Sequence, residues 1–266
     1  MKAEKYKILV LSDLKKTEST ILKNSVSLAK MIDAEIALFH VKKHIDIVGG
    51  DNQLSAIRAL NEEHNTTKKT IDTSVKSYAK DYDVTIKGSY AFGKIKEEIL
   101  KQIKSYKPDV IVLGHRDSNP LQLIGDGITK FVLKEFKGYI MISSDENALI
   151  PNKKMTLGVF NDSNKFFNTE FSKDVITHTE TPLKSFKIIN SQQSAANIIV
   201  DKDQQMLEYV FEQNSNALKT LSSFILKNKV NLLCVDRTEN KTRNTGEASL
   251  REVVNKLNVS LLVSEA

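Results

Sequence analysis

Between Pro108 and Asp145 the chain reads PDVIVLGHRDSNPLQLIGDGITKFVLKEFKGYIMISSD. Its opening run, Val110 to Leu113, is short and rich in β-branched side chains, the composition of a strand buried on both faces of a parallel sheet. Gly114 ends the run. A polar loop with Asp117, Ser118, Asn119 and Pro120 follows, then Gly125 and Gly127. The next segment has a helical pattern, with Phe131, Val132 and Phe136 apolar and Lys130, Lys134, Glu135 and Lys137 polar. Gly138 stops it before a second apolar run, Tyr139 to Ile142. Strand, glycine-bearing loop, helix, strand points to an α/β fold, and it sets backbone N–H groups at a helix start where a phosphate can be received.

The residues before this stretch repeat the same alternation. Tyr6 to Leu11 is an apolar run ending at Ser12 and Asp13, and Thr17 to Ile32 is an amphipathic helix with Thr17 or Ser19 able to cap its start. Ala34 to Val41 is a second strand, with His40 and His44 near its end; no third ligand is spaced to join them, so no metal site is expected. A polar stretch, Lys42 to Asn52, precedes a long helix from about Gln53 to Asp81. Val84 to Gly88 reads as strand three, and Ser89 to Gly93 as the turn into a helix from Lys94 to Tyr106 with Ile95, Ile99, Leu100 and Ile103 inward. Strands alternating with helices call for a mostly parallel sheet covered on both faces, with ligands outside the carboxyl ends of its strands. Asp13, Val41 and the loop after Gly114 fall at that edge.

The pattern then starts again. After a linker containing Pro151, Met155 to Phe160 followed by Asn161 and Asp162 repeats Leu9 to Asp13. Val230 to Asp236 matches Pro108 to Gly114, and Arg251 to Ser264 matches Lys130 to Ser143. The expected architecture is two tandem open, mostly parallel five-stranded sheets with helices on both faces. They divide as 1–147, a linker 148–154 and a shorter second unit 155–266, whose middle, Ser191 to Asp203, leaves room for a stub of the long helix.

Composition narrows the function classes. At 266 residues each unit can bury its own core. No window approaches 18 uncharged apolar residues and the first residues lack a secretory leader pattern, so no membrane partner and a cytoplasmic location are expected. One cysteine, Cys234, fits a reducing compartment and offers no disulfide framework. Of the net charge of +6, Met1 to Ile150 carries +4 (24 basic, 20 acidic) and the remainder +2 (15 basic, 13 acidic). Lysines such as Lys94, Lys96, Lys101 and Lys104 alternate with glutamates, so no nucleic-acid partner is expected.

An opening ILV-x-x-D, a second strand ending in H-V, the run P-D-V-I-V-L-G and the closing helix and strand make the chain resemble the universal stress proteins in their tandem form. The resemblance covers nearly the whole chain. It implies an adenine nucleotide alpha-hydrolase-like, Rossmann-like layout in which the closing strands 139–142 and 260–263 pair with each other, making a pseudo-dimer within one chain; homodimerisation is left open. Nucleotide-binding members carry G-x-x-G, nine residues, then G followed by Ser or Thr. Here Gly114 fills the first position, Asp117 stands at the second, Gly127 fills the third, and Ile128 replaces the hydroxyl residue. In the second unit Asp236 replaces the first glycine, Arg237 and Thr238 follow, and Ala248 with Ser249 stands in for the last pair.

By this resemblance the first unit holds ATP or AMP, with Asp13 at the ribose, the Val41 backbone at the adenine, and Gly114, His115, Arg116, Asp117, Gly127 and Ile128 around the phosphates. Asp162, Asp236, Ala248 and Ser249 are the weaker equivalents. A carboxylate about 4 Å from a phosphate costs on the order of 1 to 4 kcal/mol, a sign that Mg²⁺ bound to Asp117 reverses. His115 and Arg116 offer compensating donors. Asp13 also reads as a turn or capping residue, Gly114 as a strand exit and Gly127 as a helix-start residue. No G-x-x-x-x-G-K-[ST], G-x-S-x-G or H-E-x-x-H pattern is present, so a turnover enzyme is not expected, a slow ATPase being left open. Two functions stand: a stress-response sensor that binds an adenine nucleotide, or an interaction module that has lost nucleotide binding and engages an unidentified protein partner.

Overall fold

The computed structural model describes residues 6–14, 18–43, 53–114, 127–161, 167, 169–189, 200–201, 206–237 and 250–264. The first half contains β1 (Tyr6–Ser12), α1 (Glu18–Ile32), β2 (Ala34–Lys42), α2 (Gln53–Tyr82), β3 (Ile86–Phe92), α3 (Ile95–Tyr106), β4 (Val110–Gly114), α4 (Gly127–Glu135) and β5 (Tyr139–Ser143). The second half contains β6 (Leu157–Phe160), α5 (Glu170–Ile176), β7 (Leu183–Ile189), β8 (Val200–Asp201) and β9 (Met206–Glu212). It continues with α6 (Ala217–Lys227), β10 (Leu232–Val235), α7 (Leu250–Lys256) and β11 (Ser260–Val263).

All these strands join one sheet in the order β3-β2-β1-β4-β5-β11-β10-β6-β7-β9-β8. Pairing within each half is parallel except for β8 with β9, and β5 with β11, across the halves, is antiparallel. The two five-stranded units are thus fused edge to edge, with β8 added at the far end. Alternate strand residues point to opposite faces. Ile8, Val10, Val110 and Val112 meet α1, α2 and α5 through Leu22, Ile71 and Phe171, while Leu9, Ile111 and Leu113 meet α3, α4, α6 and α7 through Ile99, Val132, Leu221 and Val253. Each apolar layer runs through both halves.

Two expectations about local structure are corrected. Ser89 to Phe92 is strand and not turn, because β2 continues beside it: His40 pairs with Tyr90, Val41 with Ala91 and Lys42 with Phe92. His64 of α2 packs on the rings of Tyr90 and Phe92 and secures that extension. Gly88 lets α2 lie so close, since a Cβ there would stand 2.3 Å from Cγ2 of Ile71. In the second half, Val200 and Asp201 form a strand against Leu207 and Met206 where a helix stub was expected. Residues 190–199 and 202–205 lie outside the described residues.

The seam is held by more than the β5–β11 ladder, in which Ile142 pairs with Leu261 and Ile140 with Val263. Asn24, fully buried on α1, donates to Oγ of Ser143 (2.6 Å) and to the Ser144 carbonyl (3.3 Å), and its Oδ1 accepts the Leu149 N–H (2.7 Å). Oγ of Ser260, from β11, accepts the Ser144 N–H at 3.0 Å. Leu149, in the segment between the halves, is itself fully buried. Thr169, the N-cap of α5, accepts the hydroxyl of Tyr139 at 3.1 Å, and the Phe171 ring stacks on Tyr139 with centroids 3.9 Å apart. Burying the Asn24 amide is tolerable only because its donors and acceptor are met, and that requirement fixes α1, β5 and the connecting segment together.

Candidate functional site

In the first half the chain moves outward from β1 to β2 on one side and then returns to place β4 on the other. The helices that follow β1 and β4, α1 and α4, lie on opposite faces of the sheet, the switch point at which open parallel sheets leave a crevice. A cavity of about 90 Å³ lies there. Its floor is apolar, from Phe39 and Val41 of β2, Ile95 and Ile99 of α3, Leu11, Leu113 and Ile128; its polar groups are Ser12, Asp13 and Thr129. Residues 115–126, which follow Gly114, lie outside the described residues. An apolar floor with a few hydroxyl and carboxylate groups is the usual make-up of a small-molecule site.

The β1 exit is a tight turn. Oγ of Ser12 accepts the Leu14 N–H at 3.0 Å, and the Ser12 carbonyl accepts a hydrogen bond from Nδ1 of His40 at 2.9 Å. Leu14 takes a left-handed backbone with φ of 56°. The described part of helix α1 begins at Glu18, and residues 15–17, between it and the turn, lie outside the described residues. Ser19 is inside the helix and Thr17 lies outside the described residues, so neither expected cap is seen in that role. His40 is a packed side chain, 9% exposed, and among the described residues no cluster of three or more His, Cys, Asp or Glu is placed to hold a metal.

Of the expected site residues, Asp13, Val41, Gly114 and Ile128 come together on this one cavity. Gly127 is the first residue of α4, and a Cβ added there would meet only the flexible end of Lys96, at 3.4 Å from Nζ, so the described neighbours do not demand glycine. His115, Arg116 and Asp117 lie outside the described residues. Thr129 was missed: it restores a hydroxyl one residue beyond Ile128 and lines the cavity. A Thr adjacent to the motif position was the available signal. Lys96 stands over the ring of Phe131 at 5.5 Å, beside the α4 start. On the opposite sheet face Lys42 pairs with Glu63, and that hydrogen bond holds the Glu63 carboxyl below its ordinary pKa.

The second half is built differently at the equivalent edge. Asp236 and Arg237 follow β10, while Asp162, Ala248 and Ser249 lie outside the described residues. The Arg237 guanidinium turns toward the first half. Nη1 donates to the carbonyl of Phe136 at 2.6 Å and Nη2 to that of Gly138 at 3.1 Å, while its backbone N–H donates to Oγ of Ser264 at 3.2 Å. Both acceptors lie where α4 ends, and carbonyls at a helix C-terminus attract cations. Burial lowers the guanidinium pKa from its ordinary value. Gly138 keeps the turn compact, since a Cβ there would be 2.6 Å from the Asp109 carbonyl.

Residues 6–142, about half the chain, match the profile of the universal stress protein family. No curated protein sequence matches the chain. Among solved structures, the fold is similar to a universal stress protein from Archaeoglobus fulgidus DSM 4304, with a TM-score of 0.67 and 14% identity over 98% of this chain and 97% of that one. It is also similar to a functionally unknown protein from Pseudomonas aeruginosa PAO1 (TM-score 0.60, 13% identity, 97% and 92% of the two chains). A third is a putative universal stress protein from Pseudomonas aeruginosa UCBPP-PA14 (TM-score 0.57, 12% identity, 97% and 92%). These TM-scores establish a shared fold over both halves, and the family profile over residues 6–142 leads to one conclusion: the chain belongs to the universal stress protein family.

Proposed function

We propose that the first half binds an adenine nucleotide, ATP or AMP, at the carboxyl edge of β1, β2 and β4, and that the protein acts as a cytoplasmic binding module or sensor and not as a turnover enzyme. One observation carries this reading: Asp13, Val41, Gly114 and Ile128, far apart in sequence, converge on a single cavity at the switch point. In this proposal Asp13 receives the ribose hydroxyls, the Val41 backbone meets the adenine, and Gly114, His115, Arg116, Asp117, Gly127 and Ile128 surround the phosphates, with Mg²⁺ offsetting Asp117. Thr129 supplies the hydroxyl that Ile128 lacks. The units divide at the 148–154 linker, and the nucleotide alters the surface that the first half offers to a protein partner.

The test uses protein purified without added nucleotide. Denaturation and resolution of the released small molecules, then calorimetric titration with ATP, ADP and AMP with and without Mg²⁺, should give released adenylate or a micromolar dissociation constant, on the order of −8 kcal/mol. Asp13→Ala should weaken it at least tenfold. No release and no heat would sink the proposal. The second reading, an interaction module without nucleotide, is favoured for the second half alone, where Arg237 donates to Phe136 and Gly138 and is turned away from any ligand.

A further inference from the structure

His40 is the partner of Ser12 in the parallel β1–β2 ladder. Its strand neighbours Phe39 and Val41 face the cavity, so alternation sends the His40 side chain to the opposite face, that of Ile36 and Leu38. It cannot touch a ligand in the cavity. It does hold the strand end that carries Asp13: a carbonyl oxygen only accepts, so in the 2.9 Å contact Nδ1 bears the proton and donates to the Ser12 carbonyl. The imidazole is 9% exposed, where a hydrogen bond is poorly replaced by water.

The turn that His40 holds is a constrained one. Leu14 has φ of 56°, a left-handed conformation that a leucine adopts only when its surroundings enforce it. Two ties do so: the Leu14 N–H on Oγ of Ser12 at 3.0 Å, and His40 on the Ser12 carbonyl. Leu14 also packs against the buried layer on the α1 side. Between the two tied residues stands Asp13, on the cavity wall. The two ties thus act on the residue before Asp13 and the residue after it.

Resting on the nucleotide reading above, we infer that His40 is a positioning residue for that site: by gripping the Ser12 carbonyl from the far face of the sheet it fixes the turn that presents Asp13 to the ribose hydroxyls of an adenine nucleotide. His40 thereby sets discrimination for a ribose over a sugar lacking those hydroxyls, without contacting either.

The experiment is a calorimetric double-mutant cycle on the full chain, with ATP and 2′,3′-dideoxy-ATP as ligands and thermal unfolding as the check on folding. His40→Leu is expected to weaken ATP binding about tenfold, the scale of a hydrogen bond lost at a binding site. In the Asp13→Ala background it should change affinity less than about twofold, because coupled residues act as one. Affinity for the dideoxy ligand should not move, and His40→Asn, whose amide can donate from near the Nδ1 position, should recover most of the loss. His40→Gln, which places its amide elsewhere, takes the place of His40→Leu if the leucine variant does not fold. An equal loss with and without Asp13, an equal loss for both ligands, or no loss at all overturns the assignment while leaving the nucleotide site standing. Absence of ATP binding by the unmodified protein overturns the site and the assignment together.

Discussion

Arg237→Ala tests whether the second half grips the first. The guanidinium makes two charge-assisted hydrogen bonds, at 2.6 and 3.1 Å, to carbonyls at the end of α4. Bonds to a charged group are worth about 1.5–3 kcal/mol each. The side chain is half-buried and burial already disfavours its charge, so the low end applies and water recovers part of each carbonyl's need. The expected cost is about 3 kcal/mol, a fall in melting temperature of roughly 6–12 °C for a chain of this size. Arg237→Lys keeps the charge but reaches one carbonyl well, and should recover about half. Arg237→Met, which fills the space without the charge, should lose less than alanine. Differential scanning calorimetry at neutral pH decides it. A loss under about 0.5 kcal/mol for alanine, the level of an unremarkable surface change, would refute the reasoning and leave Arg237 a surface residue.

Asn24→Leu keeps the volume but strands the Leu149 N–H and the partners at Ser143 and Ser144; it should cost about 3 kcal/mol and split one calorimetric transition toward two as the halves uncouple. Gly138→Ala drives a methyl to 2.6 Å from the Asp109 carbonyl, a backbone atom that cannot rotate away, and should lower stability by about 2 kcal/mol or more by chemical denaturation. Glu35, hydrogen-bonded by Lys87, and Glu63, hydrogen-bonded by Lys42, both have folded-state pKa values below the ordinary value. Their contribution is therefore complete above about pH 4.3 and is lost as pH falls through the lower folded value. Glu35→Gln and Glu63→Gln should each flatten the acid limb of a stability-against-pH curve and leave its neutral region parallel to the parent.

Much of the first half was legible because its strands are short β-branched runs and its helices carry a clear apolar face. Val110 to Leu113 and Ile95 with Ile99 are examples, and both end up lining or backing the cavity. Asp13, Val41 and Gly114 were legible through their place at the strand ends, and Ile128, the second residue of α4, through the motif spacing alone; all four line the one cavity. Ser89 to Phe92 was not, since the glycines on either side, Gly88 and Gly93, read as turn until β2 is known to extend beside it. Arg237 illustrates a deeper limit. Its acceptors are backbone carbonyls 99 and 101 residues away, and no side chain in the sequence marks a carbonyl as a partner. The Ser12–Leu14 turn is similar: its geometry depends on a histidine reached only through the β1–β2 register.

The antiparallel β5–β11 seam has a consequence for stoichiometry. Each half has one strand whose free side could recruit another copy of the same unit, and here each is taken by its sibling in the same polypeptide. The pairing capacity of that side is spent at synthesis, at a one-to-one ratio that neither dilution nor expression level can change. Any assembly beyond one chain therefore forms through surfaces other than the paired sides of β5 and β11, and its symmetry relates whole two-half chains and not single units.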